Sequence, residues 1–180
     1  MEFERFGHFT SAFYNFLVSI RAFDWAYAAA LKLIKRLAPP GSRVLEIGPG
    51  VGVLLKKLLD AGYDAVGVDA SPPMLRFSRA RGVSVAGVSF LLPTRGEVFD
   101  VAMALFTLHH WGDHGPSLRE VKRALKPGGR FLVVEVDQAR MPLVGSHGCT
   151  LRCLQEVLST EFEVAVERRF PLLFAVAKKV

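Results

Sequence analysis

The chain has 180 residues, 51% of them apolar and 22% charged, with a formal net charge of +6. That is one domain's length with enough apolar material for a substantial core, and no apolar run approaches the ~20 residues that a membrane-spanning helix needs. The positive excess suits general solubility or an acidic partner such as RNA; the basic residues are scattered, and the densest group, Arg76, Arg79 and Arg81, has the spacing of a solvated helix face.

The start, Met1–Glu2–Phe3–Glu4, is acidic and lacks the basic region of a secretory signal. Residues Ser11–Leu37 carry a nearly unbroken helical pattern, rich in aromatics (Phe13, Tyr14, Phe16, Phe23, Trp25), and Pro39–Pro40–Gly41 must end it. Val44–Ile47 reads as a strand and Val51–Ala61 as a helix with Leu54, Leu55, Leu58 and Leu59 on one side. Ala65–Val68 is a second strand. Ser71 is a good helix cap, with Pro72 at the first helical position and the helix running to about Ala80. Val83–Val85 is a short third strand and Phe99–Phe106 a strong fourth. A helix over Pro116–Leu125, a turn at Lys126–Gly129 and a strand over Arg130–Val136 follow. Thr150 opens a helix to Ser159. Phe162–Arg168 and Leu172–Lys178 form a closing antiparallel pair around Pro171. Strands alternating with helices indicate an α/β protein with a doubly wound, mainly parallel sheet; continuous apolar strands fit a sheet covered on both faces. The expected organisation is one domain over 1–180, with a helical lid segment over 1–40 and a Rossmann-like core over 41–180.

Between the first strand and its helix lies Glu46–Ile47–Gly48–Pro49–Gly50–Val51–Gly52. Glycines there let the backbone pass close to a ligand, at the carboxyl edge where doubly wound sheets bind cofactors. Asp69, at the end of the second strand, is placed to accept both hydroxyls of a ribose. The spacing is G-x-G-x-G, not the G-x-G-x-x-G of dinucleotide sites, and Glu46 sits just before it. An anion there repels a pyrophosphate and favours a sulfonium and an amino group.

Four stretches together, VLEIGPGVG (44–52), VGVDAS (66–71), FDVAMALFTLHHW (99–111) and LREVKRALKPGGRFLVVE (118–135), resemble the class I S-adenosylmethionine-dependent methyltransferases, particularly the small-molecule, ubiquinone/menaquinone-biosynthesis branch. The resemblance implies a seven-stranded sheet of order 3-2-1-4-5-7-6 with strand 7 antiparallel. It implies that Glu46 and the loop Gly48, Pro49, Gly50 and Gly52 surround the methionine part of the cofactor, that Asp69 holds the ribose, and that Ala70 and Met74 lie by the adenine. Ala104, Leu105 and Phe106 would line the cofactor floor beside the acceptor, and Tyr14 would cover the cofactor. One departure stands out: relatives have an acid after the third strand, whereas this chain has Ala86–Gly87–Val88. Adenine is then held by backbone groups near Gly87 and Val88 with apolar packing, or the cofactor binds weakly.

The implied activity is methyl transfer by in-line displacement to a small-molecule acceptor, an apolar one if the aromatic N-terminal segment lines its pocket. RNA methylation and a non-catalytic S-adenosylmethionine-binding module are the alternatives. Alignment of the nucleophile and exclusion of water are the main requirements, and His109 and His110 are the candidate bases; packing beneath the loop is their other reading. His147, Cys149 and Cys153 make a weak set of metal ligands, lacking a fourth, so no metal is expected. Cys149 and Cys153, four apart, would share one helix face, where a disulfide is geometrically poor; a reducing, cytoplasmic setting is expected.

Overall fold

The computed structural model describes residues 23–79, 81–141 and 148–180. Helix α1 (Asp24–Leu37) buries Ala26, Tyr27, Ala30 and Ile34 along one stripe and carries Lys35 and Arg36 in its last turn, where cations complement the helix dipole. Ala38 then turns extended before the two prolines, and its carbonyl accepts the Tyr63 hydroxyl at 3.0 Å. The earlier part of the expected helix, with Tyr14, lies outside the described residues.

The core alternates as expected: β1 (Arg43–Ile47), α2 (Val53–Asp60), β2 (Asp64–Asp69), α3 (Pro72–Ser78), β3 (Ser84–Ala86), β4 (Phe99–Leu105), α4 (His114–Ala124), β5 (Leu125–Val136), α5 (Leu151–Leu158), β6 (Glu163–Arg169) and β7 (Leu172–Lys178). The seven strands form one sheet of order β3-β2-β1-β4-β5-β7-β6. The pairs β1–β2, β1–β4, β2–β3 and β4–β5 are parallel, and β7 is antiparallel to both β5 and β6. This is the implied topology.

Side chains alternate across the sheet, and both faces are covered. Leu45, Ile47, Ala102, Ala104, Phe131 and Val133 pack beneath α4 and α5 with Leu118, Val121, Leu154 and Leu158. Val44, Val101, Met103, Leu132 and Val134 pack on the other face with Ala30 and Ile34 of α1 and Leu54, Leu55 and Leu58 of α2. Two buried faces explain why β4 and β5 read as continuous apolar runs rather than alternating ones.

Three caps anchor the helices. Ser71 Oγ accepts from Met74 N, with Pro72 at the first position, and Thr150 Oγ1 accepts from Cys153 N, both as expected. Asp113 accepts from Gly115 N and starts α4 at His114, earlier than the proline suggested. Leu59 stands apart from the other α2 leucines, at 36% exposure, because it lies off their buried stripe. The fifth strand begins at Leu125 rather than Arg130: Lys126–Gly129 form an irregularity within it, with Gly128 at φ +72° and a register shift between Phe99 and Val101.

The cysteine expectation needs correction. Cys149 precedes the Thr150 cap and bridges to Asp137 at the end of β5, so only Cys153 is on the helix. Their sulfurs approach to 2.6 Å. His147 lies outside the described residues; among those described, no three His, Cys, Asp or Glu side chains are grouped to hold a metal ion. Likewise, no described helix is long and apolar enough to cross a membrane.

Candidate cofactor and acceptor site

The carboxyl ends of β1, β2 and β4 meet at one edge, and the loops leaving them line a cleft that opens to solvent. The loop after β1 forms its floor. Gly48 has φ +72°, and a Cβ on it would meet Thr107 Oγ1 at 2.5 Å. Gly52 has φ +82°, and a Cβ there would meet the Ser78 backbone at 2.9 Å. Both glycines are therefore required twice, by left-handed backbone and by close approach. Gly48 N donates to Val68 O at 2.8 Å, which stitches the loop to β2.

Asp69 ties the site together. Its Oδ1 accepts from Ser71 N at 2.8 Å and its Oδ2 from Gly50 N at 3.1 Å. Burial pushes its carboxyl above the ordinary aspartate value, while the amides of Ser71, Gly50 and Ala70 pull it back. Each carboxylate oxygen has a second lone pair, so the acid can hold the loop and accept a ligand hydroxyl at once.

Glu46 is 2% exposed and sits under the same loop. Burial first, then the neighbouring charge of Asp69, raises its pKa from 4.5 to about 8, against a lowering hydrogen bond from the Leu55 backbone in the first turn of α2. Its Oε2 is buried with no hydrogen-bond partner. A dry carboxyl group with an unmatched oxygen, beside a second carboxylate, fits a cationic group arriving in the cleft. The residues present thus suit S-adenosylmethionine at the methionine and ribose ends.

Of the residues expected at the site, Gly48, Gly50, Asp69, Ala70 and Met74 line the cleft, as do Gly87, Val88, Leu105, Phe106 and His110. Glu46, Pro49, Gly52, Ala104 and His109 do not. Pro49 packs instead against β2, where a Cβ on Gly67 would meet its Cγ at 2.7 Å. Gly52 shapes the entry to α2. Ala104 is fully buried in the core. Tyr14 lies outside the described residues.

Six cleft residues were not anticipated: Ile47, Val68, Ser71, Ser89, Thr107 and Trp111. Ser89 matters most. It follows Ala86–Gly87–Val88 where relatives carry an acid, and its hydroxyl is 2.8 Å from the Ser117 hydroxyl of α4. Its partner is distant in sequence, so local spacing had no means of marking it.

The loop after β4 separates the two histidines. Phe106 adopts φ +56°, a left-handed conformation that is rare and strained for a bulky residue. Its amide bonds Val134 O at 2.9 Å, and its ring lies 6.1 Å from that of Phe23. A single 3₁₀ turn, Leu108–His110, follows. Glu135, fully buried at the end of β5, accepts from Leu108 N at 2.8 Å and lies 2.9 Å from His109 Nδ1. His109 is thereby held beneath the loop, its side chain 11% exposed. His110, its ring 4.0 Å from that of His109, faces the cleft beside Trp111. Trp111 in turn stacks on Phe131 at 6.0 Å. Glu135 was not foreseen, because a glutamate ending an apolar strand gives no sign of which loop it will meet.

Comparison with known proteins agrees with this geometry. Residues 45–133 match the family described as Methyltransferase domain. The chain is 40% identical over 111 residues to the demethylmenaquinone methyltransferase of Corynebacterium kroppenstedtii, covering 61% of this chain and 48% of that protein. It is 34% identical over 116 residues to an uncharacterized methyltransferase of Mycobacterium bovis, covering 63% and 43%. The chain thus spans less than half the length of these curated relatives. Its fold is similar to a SAM-dependent methyltransferase of Thermotoga maritima (TM-score 0.75, 24% identity, 96% of this chain and 99% of that one). It is also similar to phosphoethanolamine N-methyltransferase 2 of Haemonchus contortus in complex with S-adenosyl-L-methionine (TM-score 0.68, 20% identity, 83% and 51%). The stretch that the family matches is the one whose loops build the cleft, and over that stretch the chain carries a methyltransferase domain similar to those of S-adenosylmethionine-dependent methyltransferases.

Proposed function

We propose that this chain methylates an apolar, aromatic small molecule of the quinol type, using S-adenosylmethionine. The observation that carries this reading is the wall of the cleft next to the end of β4: Phe106 and Trp111 are apolar and flat, with His110 between them in sequence as an acid–base group. Similarity to a demethylmenaquinone methyltransferase over 61% of the chain supports the acceptor class.

When bound, the cofactor supplies a methyl group already activated by its positive sulfur. The chain's own residues do the rest. Asp69 accepts the ribose hydroxyls while keeping its bonds to Gly50 and Ser71. Glu46 gives up its proton as the cation arrives and then offers negative charge under the glycine loop. Ser89 and the backbone of Gly87 and Val88 receive the adenine edge in place of an acid. Phe106 and Trp111 exclude water and align the acceptor, a contribution that by itself amounts to several kcal/mol or more. His110 takes the acceptor's proton as the new bond forms. His109, held by Glu135, supports the turn that presents His110.

The test combines calorimetry with S-adenosylmethionine and S-adenosylhomocysteine and transfer of a labelled methyl group to a short-tailed demethylated naphthoquinol, with RNA at low salt in parallel. Transfer to the quinol and not to RNA supports the proposal. Label in RNA, or tight cofactor binding with no transfer, overturns the acceptor assignment. Failure to bind either cofactor overturns the whole reading.

A further inference from the structure

We propose that Cys149 and Cys153 form a reversible dithiol–disulfide site that reacts with hydroperoxides. Methyl transfer uses neither residue, yet both are held as a pair. Their sulfurs lie 2.6 Å apart, and both main-chain positions are fixed. Cys149 N donates to Val136 O at 3.1 Å and Cys149 O accepts from Gln138 N at 3.1 Å, which pins the residue to the end of β5. Cys153 N donates to Thr150 Oγ1 at 3.0 Å, which pins it in the first turn of α5. Closing a bond between them starts from two sulfurs already in contact.

The two thiols differ in access, which orders the chemistry. Cys153 is exposed and Cys149 is 6% exposed. The peroxide oxygen adds first to Cys153, giving a sulfenic acid as the O–O bond breaks and one water or alcohol leaves. The Cys149 sulfur then attacks the Cys153 sulfur. The S–S bond forms, the S–O bond breaks, and the departing hydroxide takes the Cys149 proton as water. Two thiols are oxidised and one peroxide is reduced. Burial, Cys153 and the nearby Glu135 carboxylate all push the Cys149 thiol up; its thiolate is scarce, and ring closure accelerates as pH rises.

The full chain is titrated with hydrogen peroxide and followed by intact mass and thiol alkylation. Expected is a loss of two hydrogens in mass, disappearance of both alkylation sites together, and full reversal by dithiothreitol. In C149S, dimedone captures a sulfenic acid at Cys153; C153S, altered at an exposed position, loses the closure. Overoxidation of Cys153 with Cys149 still alkylatable, or disulfide-linked dimers in place of the internal bond, overturns the proposal.

Discussion

Replacing Glu46 by Gln pits stability against ligand binding at one buried group. Glu46 has a pKa near 8 in the folded chain, against 4.5 in a solvated one, because burial and Asp69 both disfavour its charge. Between those values the folded chain holds a proton that the unfolded chain has released. Stability is therefore fully present below pH 4.5 and falls as pH rises through the window, by at most about 1.4 kcal/mol per unit; above pH 8 it levels off. Gln cannot ionise and mimics the protonated form. The advantage of Glu46→Gln over the wild type should thus grow from pH 5 to pH 8, reaching the order of 3 kcal/mol by neutrality. Urea unfolding of both proteins across that range measures it. Binding runs the other way. A cation arriving beside Glu46 favours its ionised form, so the wild type releases close to one proton per cofactor near pH 7 and none near pH 9.5, by the fraction protonated at each pH. Calorimetry in buffers of different ionisation enthalpy counts that proton, and the variant should release none while binding more weakly. Parallel stability profiles for the two proteins, or equal affinity for S-adenosylmethionine, would refute the reasoning.

Four further outcomes are expected. Gly48→Ala meets both an unfavourable φ, costing ~1–2 kcal/mol, and the Thr107 hydroxyl; cofactor affinity should fall by tenfold or more in calorimetry, and an unchanged value would mean that the loop shifts freely. Asp69→Asn keeps a hydrogen-bonding group but loses the charge that receives Gly50 and Ser71, so the loss should appear in cofactor Kd rather than in kcat. His110→Ala should leave the melting temperature near wild type and lower kcat, whereas His109→Ala should act through stability, since it strips a partner from fully buried Glu135 at a cost of about 1–3 kcal/mol. Ser89→Ala leaves the buried Ser117 hydroxyl without that partner and should weaken cofactor binding several-fold, and no change would assign adenine recognition to the backbone of Gly87 and Val88.

Much of the fold was legible because its signals are local. The two prolines after α1, the Ser71 and Thr150 caps and the short apolar strands each act within a few residues, and each stands where the pattern put it. Boundaries moved where a distant partner intervened. β5 starts at Leu125 because Phe99 pairs there across the sheet, a contact that the turn signal of Pro127–Gly129 does not report. Cys149 and Cys153 fit a helix face by spacing alone, but the bridge from Cys149 to Asp137 holds the first of them outside the helix.

The cofactor side of the cleft follows the same division. The order of residues by itself determined that a glycine loop follows a strand, that Glu46 precedes it and that Asp69 ends the next strand, because that chemistry is written in contiguous residues. Only the tertiary structure decided that Asp69 also pins Gly50, that Ser89 lines the cleft against Ser117, and that Glu135 takes His109 beneath the loop and leaves His110 facing the cleft. Those outcomes depend on which buried donors and acceptors meet across strands far apart in the chain, and a buried polar group must find its partner wherever the fold brings one.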